Sequence, residues 1–220
     1  YGHRSILTKY CQVKDQPIYG HIQHGVHISD FHKKIGKQKA PFAYFYCWNK
    51  SVRDFCIKNG VKNVFPIGAP FLYCDKIFND KVSEKPRGTL CFVAHSNPCL
   101  PRKFNHKKFI ELVEDNYPPP YTASIFIVDF LNENLDEYKK KNWTIVCFGE
   151  RNDSNFLIKQ YFEIQKGEKV VATELGSSLF YSMYLRKNTS FIYKYYENGK
   201  KNTFRILAKK IFIWINIKIF

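Results

Sequence analysis

Lys169-Val170-Val171-Ala172-Thr173-Glu174-Leu175-Gly176-Ser177-Ser178 is the stretch on which the reading of this chain turns. A short apolar run centred on Val170 and Val171 reads as a buried strand, breaks at Gly176, and gives way to a helical pattern over 178–185. Strand, tight turn and helix together form the repeating half-unit of a parallel α/β sheet. A helix start leaves backbone N–H groups unpaired and carries the positive end of the helix dipole, so hydroxyls placed there complete a site for an anion. The same Ser177-Ser178 pair also reads as a plain cap that satisfies those amides without a ligand. Both readings stand at this point. Upstream, Thr89-Leu90-Cys91-Phe92-Val93-Ala94 reads as a second buried strand, ending in the donor-rich tip His95-Ser96-Asn97-Pro98. Two such strand ends in one domain predict a single phosphate-binding cleft, since open α/β sheets bind ligands outside the carboxyl ends of their strands.

Around these two segments strands and helices alternate. Strands are expected at 89–94, 123–129, 144–148, 169–173 and 190–195, with helices at 106–115, 133–141, 154–165 and 178–185. That order implies βαβ crossovers and a parallel, doubly wound sheet. Nearer the N-terminus, strands at 17–23 and 42–47 end in His24-Gly25 and Trp48-Asn49. A helix over 50–59 follows, capped by Asn49 or Ser51 and closed by Gly60, and then a strand at 64–68. The polar run 73–88, with Asn79-Asp80-Lys81 and Ser83-Glu84-Lys85-Pro86-Arg87-Gly88, reads as a linker. The expected fold class is therefore α/β, with two Rossmann-like parallel-sheet domains of which the N-terminal one is incomplete. The boundaries are 1–78 for the first domain, 79–88 for the linker, 89–205 for the second domain and 206–220 for an atypical apolar tail.

With 45% apolar residues over 220 positions, the chain can bury a substantial core, and disorder throughout is excluded. Thirty-five Lys and Arg against 19 Asp and Glu give a formal charge of +16, which favours phosphates, polyanions or an anionic membrane face. The lysines are scattered in pairs such as Lys107-Lys108 and Lys200-Lys201, with no arginine block or repeated aromatic–basic platform, so nucleic acid is the weaker partner class. Seven cysteines, at positions 11, 47, 56, 74, 91, 99 and 147, form no Cys-x-x-Cys pair and suit reduced, buried thiols of a cytoplasmic protein. The chain opens on Tyr1 and is read as a fragment. Its last ten residues, from Ile211, are apolar but too short to span a bilayer.

A series of short motifs resembles a known family. Gln23-His24-Gly25-Val26, Ile67-Gly68-Ala69-Pro70-Phe71-Leu72-Tyr73, His95-Ser96 and Glu174-Leu175-Gly176-Ser177-Ser178-Leu179-Phe180-Tyr181 occur in the order found in bacterial GT-B glycosyltransferases of surface-polysaccharide synthesis. The resemblance covers most of 17–196 and is nearest to the capsule sialyl- and Kdo-transferase group, with CDP-glycerol glycerophosphotransferases more distant. It implies a donor site in the C-terminal domain, facing an acceptor site across a cleft. In the sialyltransferase-like members a His-Pro motif and a Ser-Ser motif bind the nucleotide of a CMP-sugar. Here His95-Ser96 stands at the first, with its Pro absent, and Ser177-Ser178 at the second.

The function this implies is glycosyl transfer from a nucleotide-activated sugar, such as a CMP-linked one, to a surface-polysaccharide or lipopolysaccharide acceptor, glycan or lipid-linked. His95, Ser96, Gly176, Ser177 and Ser178 would hold the leaving phosphate, and Glu174 would meet a ribose or sugar hydroxyl or serve only as a solvated strand-end carboxylate. His24, matching a His-Gly element of the glycerophosphotransferases, is the candidate base, because a histidine near its ordinary pKa accepts a proton from a hydroxyl; it reads equally as a structural loop histidine. Neither a metal nor another cofactor is expected, since His24, His27 and His32 make no recognised ligand set and no Asp-x-Asp occurs. Ile67–Tyr73 is read as architectural, Tyr46 and Trp48 as core or sugar-stacking, and Arg102 and Lys103 as loop charge or diphosphate contacts. The chain is expected in the cytoplasm, peripherally on the inner membrane face. Two alternatives remain beside this: an inactive truncated remnant of such an enzyme, and a noncatalytic phosphate- or polyanion-binding α/β module.

Overall fold

The computed structural model describes residues 2–13, 17–25, 43–82, 85–94, 104–132, 135–150, 152–197 and 200–207. The chain is α/β with two sheets. The smaller takes the order β1-β2-β3, all parallel, from His21–Ile22, Phe45–Cys47 and Val64–Pro66. The larger has the order β6-β5-β4-β7-β8-β9. Its strands are β4 (Thr89–Phe92), β5 (Tyr121–Ser124), β6 (Thr144–Val146), β7 (Lys169–Ala172), β8 (Asn188–Glu197) and β9 (Lys200–Leu207). Strands β4 to β8 run parallel, and β9 returns antiparallel to β8. Chain order therefore moves outward from β4 to β6, crosses back, and resumes with β7 and β8 on the other side. That reversal is the topological switch of a Rossmann-like sheet.

The central strands are buried along their length: Leu90, Cys91, Val170, Val171 and Ala172 are all at most 2% exposed. A parallel sheet covered on both faces requires such continuous apolar runs. Helix α1 (His3–Tyr10) precedes the first sheet, and α2 (Lys50–Lys58) follows β2 with Asn49 as its cap, the side chain accepting from Val52 N at 2.8 Å. Gly60 lies just past its end at φ 82°. Helices α4 (His106–Asn116) and α7 (Phe156–Lys166) sit where the apolar periodicity puts them.

Two expectations change. The stretch 73–88 is not a linker throughout: α3 (Leu72–Phe78) occupies its first part and buries Cys74 and Phe78. The strand expected over 123–129 stops at Ser124, and the apolar run Ile127–Asn132 coils instead as helix α5, followed by α6 (Asp136–Lys140). Such a run satisfies either period. Helix α1 and strand β9 carried no local pattern and appear only in the fold. The tail from 208 onward lies outside the described residues.

One core ties the two sheets together. Ile6, Trp48, Ala69, Phe71, Cys74 and Phe78 from the N-terminal part cluster with Leu90, Phe92, Tyr161, Val170, Leu179 and Tyr181 from the C-terminal part. Gly2 lets α1 close against this body, because a Cβ there would fall 2.1 Å from the Ser154 carbonyl oxygen. Helix α8 (Ser177–Tyr184) faces the same core, its Tyr181 ring lying flat on Phe71 at 3.9 Å and 6°.

Candidate functional site

The carboxyl edge of the larger sheet opens into a cavity of about 380 Å³, a volume in the range of small-molecule sites. Phe92 at the end of β4 and Val93 after it, Ser124 at the end of β5, Gly149 after β6 and Ala172 at the end of β7 border it. The cavity thus straddles the switch between β4 and β7, where Thr173 N donates to Phe92 O at 3.1 Å.

After β7 the chain makes a tight turn, with Gly176 N donating to Glu174 O at 2.9 Å, and α8 begins. The helix boundary bears on the cap reading of the serine pair. Gly176 occupies the cap position in extended geometry, φ −120° and ψ 179°, and being a glycine it has no side chain with which to cap the helix. Ser177 and Ser178 are its first two helical residues, so the plain serine cap is not what forms. Space stays open above Gly176, where a Cβ would meet nothing within 4 Å. Ser178 Oγ accepts from Gln160 Nε2 at 3.1 Å, and Ser182 Oγ donates to Ser178 O at 2.7 Å, which fixes the first turn. The positive end of α8 therefore borders the cavity.

The smaller sheet supplies the opposite wall. His24 and Gly25 follow β1 and line the same cavity. Gln23, 3% exposed, pins their loop: its Oε1 accepts from Trp48 N at 2.9 Å and its Nε2 donates to Gly25 O at 3.1 Å. Gly25 takes φ 75°, and a Cβ built there would stand 3.7 Å from Ser177 Oγ, so the two loops meet at van der Waals range. His3 from α1 joins them, its ring 6.5 Å from that of His24. Burial, and after it neighbouring positive charge that includes His24 and His21, holds His3 down to about 4. His3 is therefore neutral at physiological pH.

His24, which follows β1, and Glu174, Gly176, Ser177 and Ser178, which follow β7, all border this one cavity. His95, Ser96, Arg102, Lys103, His27 and His32 lie outside the described residues. Three contributors have no place in the sequence reading. Gln160 had a usable signal, being a polar residue on the buried stripe Leu157, Tyr161 and Ile164 of α7. Gly149 closes a legible strand end. His3 had none, because only tertiary docking of α1 brings it here. Trp48 and Ile67–Tyr73 serve the core as architecture, with Ala69, Phe71 and Trp48 buried.

Desolvation pushes the thiols of Cys47 up to about 11 and Cys74 up to about 12, far from thiolate at neutral pH. Among the described residues no three His, Cys, Asp or Glu side chains gather as a metal-ligand set, and no helix is long and apolar enough to cross a membrane. The chemistry on offer is a helix start with hydroxyls on one side and an imidazole on the other. Compared with known proteins, the chain matches no protein-family model, no curated protein and no solved structure.

Proposed function

We propose that this chain is a glycosyltransferase of GT-B architecture, moving a sugar from a nucleotide-activated donor to a glycan or lipid-linked acceptor of a bacterial surface polysaccharide. The observation that carries the reading is the meeting of His24-Gly25, from the smaller sheet, with the start of α8, from the larger, across one 380 Å³ cavity. A transfer site between two α/β units needs that arrangement: a phosphate cradle on one, a proton acceptor on the other.

In this reading the nucleotide phosphate sits at Ser177 and Ser178. Their N–H groups and hydroxyls, with the dipole of α8, stabilise the negative charge that grows on the leaving phosphate as the glycosidic bond breaks. That is electrostatic work supplied by the protein's own groups. His24 takes the proton from the attacking acceptor hydroxyl, and Glu174 at the cavity edge accepts from a donor hydroxyl. The net charge of +16 favours an anionic membrane face at which a lipid-linked acceptor is presented.

The test is release of free nucleotide from a panel of CMP-, UDP- and GDP-sugars in the presence of bacterial lipid-linked glycan. His24→Gln is expected to lower release by roughly 10²-fold or more, the usual worth of a general base, while nucleotide binding persists. Wild-type rates in His24→Gln would remove His24 from the chemistry. Failure of every donor, with nucleotide still bound, would leave a phosphate-binding module without transfer.

A further inference from the structure

A second cavity, of about 360 Å³, lies at the carboxyl edge of the smaller sheet. Trp48, Asn49 and Lys50 reach it just after β2, and α1 and α3 contribute Tyr10, Tyr73 and Lys76. It is separate from the first. No residue borders both cavities. Ser177, at the first, and Tyr184, at the second, stand at opposite ends of α8, about 10 Å apart at 1.5 Å per residue. Between them the rings of Phe71, Tyr181 and Trp48 form a buried wall, Tyr181 stacked on Phe71 at 3.9 Å and 6.2 Å from Trp48.

The charge at this second cavity is positive. No carboxylate borders it, while two lysines from different helices do, and among the described residues neither Lys50 nor Lys76 pairs with an acid. Tyr73 OH donates to Ile67 O and Tyr184 OH donates to Leu72 O at 3.5 Å, which leaves both hydroxyls as acceptors, while Asn49 Oδ1 accepts from Val52 N and leaves the Asn49 amide N–H groups to donate. Tyr10, 46% exposed, packs its ring at 4.4 Å against Tyr73 and gives the cavity an aromatic face. Two unpaired ammonium groups call for an anion, and lysine is a common point-charge partner of phosphate. Aromatic faces beside donor groups suit a compact ring with hydroxyls.

We infer that this second cavity binds a phosphorylated monosaccharide, with Lys50 and Lys76 on the phosphate and the tyrosine ring against the sugar. The site is independent of the transferase reading, because its ligand binds without a nucleotide donor and touches none of the groups assigned to transfer. Glucose 6-phosphate is the probe, titrated calorimetrically into the full chain, with glucose as the control. Binding is expected for glucose 6-phosphate and not for glucose. Lys50→Gln and Lys76→Gln should each weaken it by roughly tenfold, as loss of one charge-assisted contact does, and Ser177→Ala should leave it unchanged. Both lysines are exposed, so these variants should melt like the wild type, which a thermal scan checks. The inference is overturned if glucose 6-phosphate does not bind, if the double lysine variant binds it as the wild type does, or if Ser177→Ala abolishes binding and so places the ligand in the first cavity.

Discussion

Gly176 concentrates the account of the first cavity at one residue, because it is the cap of α8 and faces open space. Its backbone, at φ −120°, is accessible to any residue. Gly176→Leu should therefore cost no more than about 1 kcal/mol of stability, the difference between a good and a poor cap, while its side chain fills the space a phosphate needs. Nucleotide affinity should fall at least tenfold with an unchanged unfolding transition; intact affinity would mean that the phosphate lies elsewhere. His3 makes a different kind of claim. Its folded pKa of about 4 lies below the unfolded value of 6.5, so the unfolded chain binds the proton first as pH falls. Stability is complete above the unfolded value, declines between 6.5 and about 4, and is constant with respect to this group below that. His21, depressed by burial as well, acts in the same direction. Between about pH 7.5 and about pH 4.5 the His3 contribution is of order 2 kcal/mol. Urea unfolding at both pH values should show that loss reduced by a comparable amount in His3→Gln, and an identical loss in the variant would contradict the burial described.

At the scale of elements, α3 and α8 hold the two sheets in register through Phe71, which immediately precedes α3. Phe71 is fully buried, and its contact with Tyr181 joins residues 110 positions apart in the chain. Phe71→Ala should lower stability by about 3–5 kcal/mol, as deletion of a buried aromatic does, and it should do so in a single transition. Two separated transitions would show that the sheets fold as independent units. How much of this was legible varies by element. Strands with Val, Leu and Cys runs, such as Thr89–Phe92 and Lys169–Ala172, announce themselves because a strand covered on both faces must be apolar throughout. Asn49 announces α2 through its cap chemistry. Helix α1 does not, since His3–Tyr10 buries only Ile6 completely and shows no apolar stripe; its packing comes from the rest of the fold. Helix α3 hides because it is only seven residues long and runs directly into the charged stretch from Asn79, although it buries Cys74 and Phe78 as an i, i+4 pair. The site divides the same way. Ser177, Ser178, Glu174 and His24 follow strand ends and were readable there, whereas Gln160 and His3 arrive from helices by tertiary packing.

For the whole molecule, the decisive feature is that a single core carries two parallel sheets whose carboxyl edges meet at one cavity at the topological switch between β4 and β7. The central claim is that this cavity is a nucleotide-phosphate site. The most direct measurement is the melting temperature of the purified chain, wild type and Ser177→Ala, with CMP, CDP, UDP and GDP at equal concentrations. A ligand present at about 100 times its dissociation constant stabilises the folded state by about 2.7 kcal/mol. The account predicts an upward shift with one nucleotide class and a much smaller shift in Ser177→Ala. A cooperatively melting wild-type chain that shifts with none of the four would contradict it.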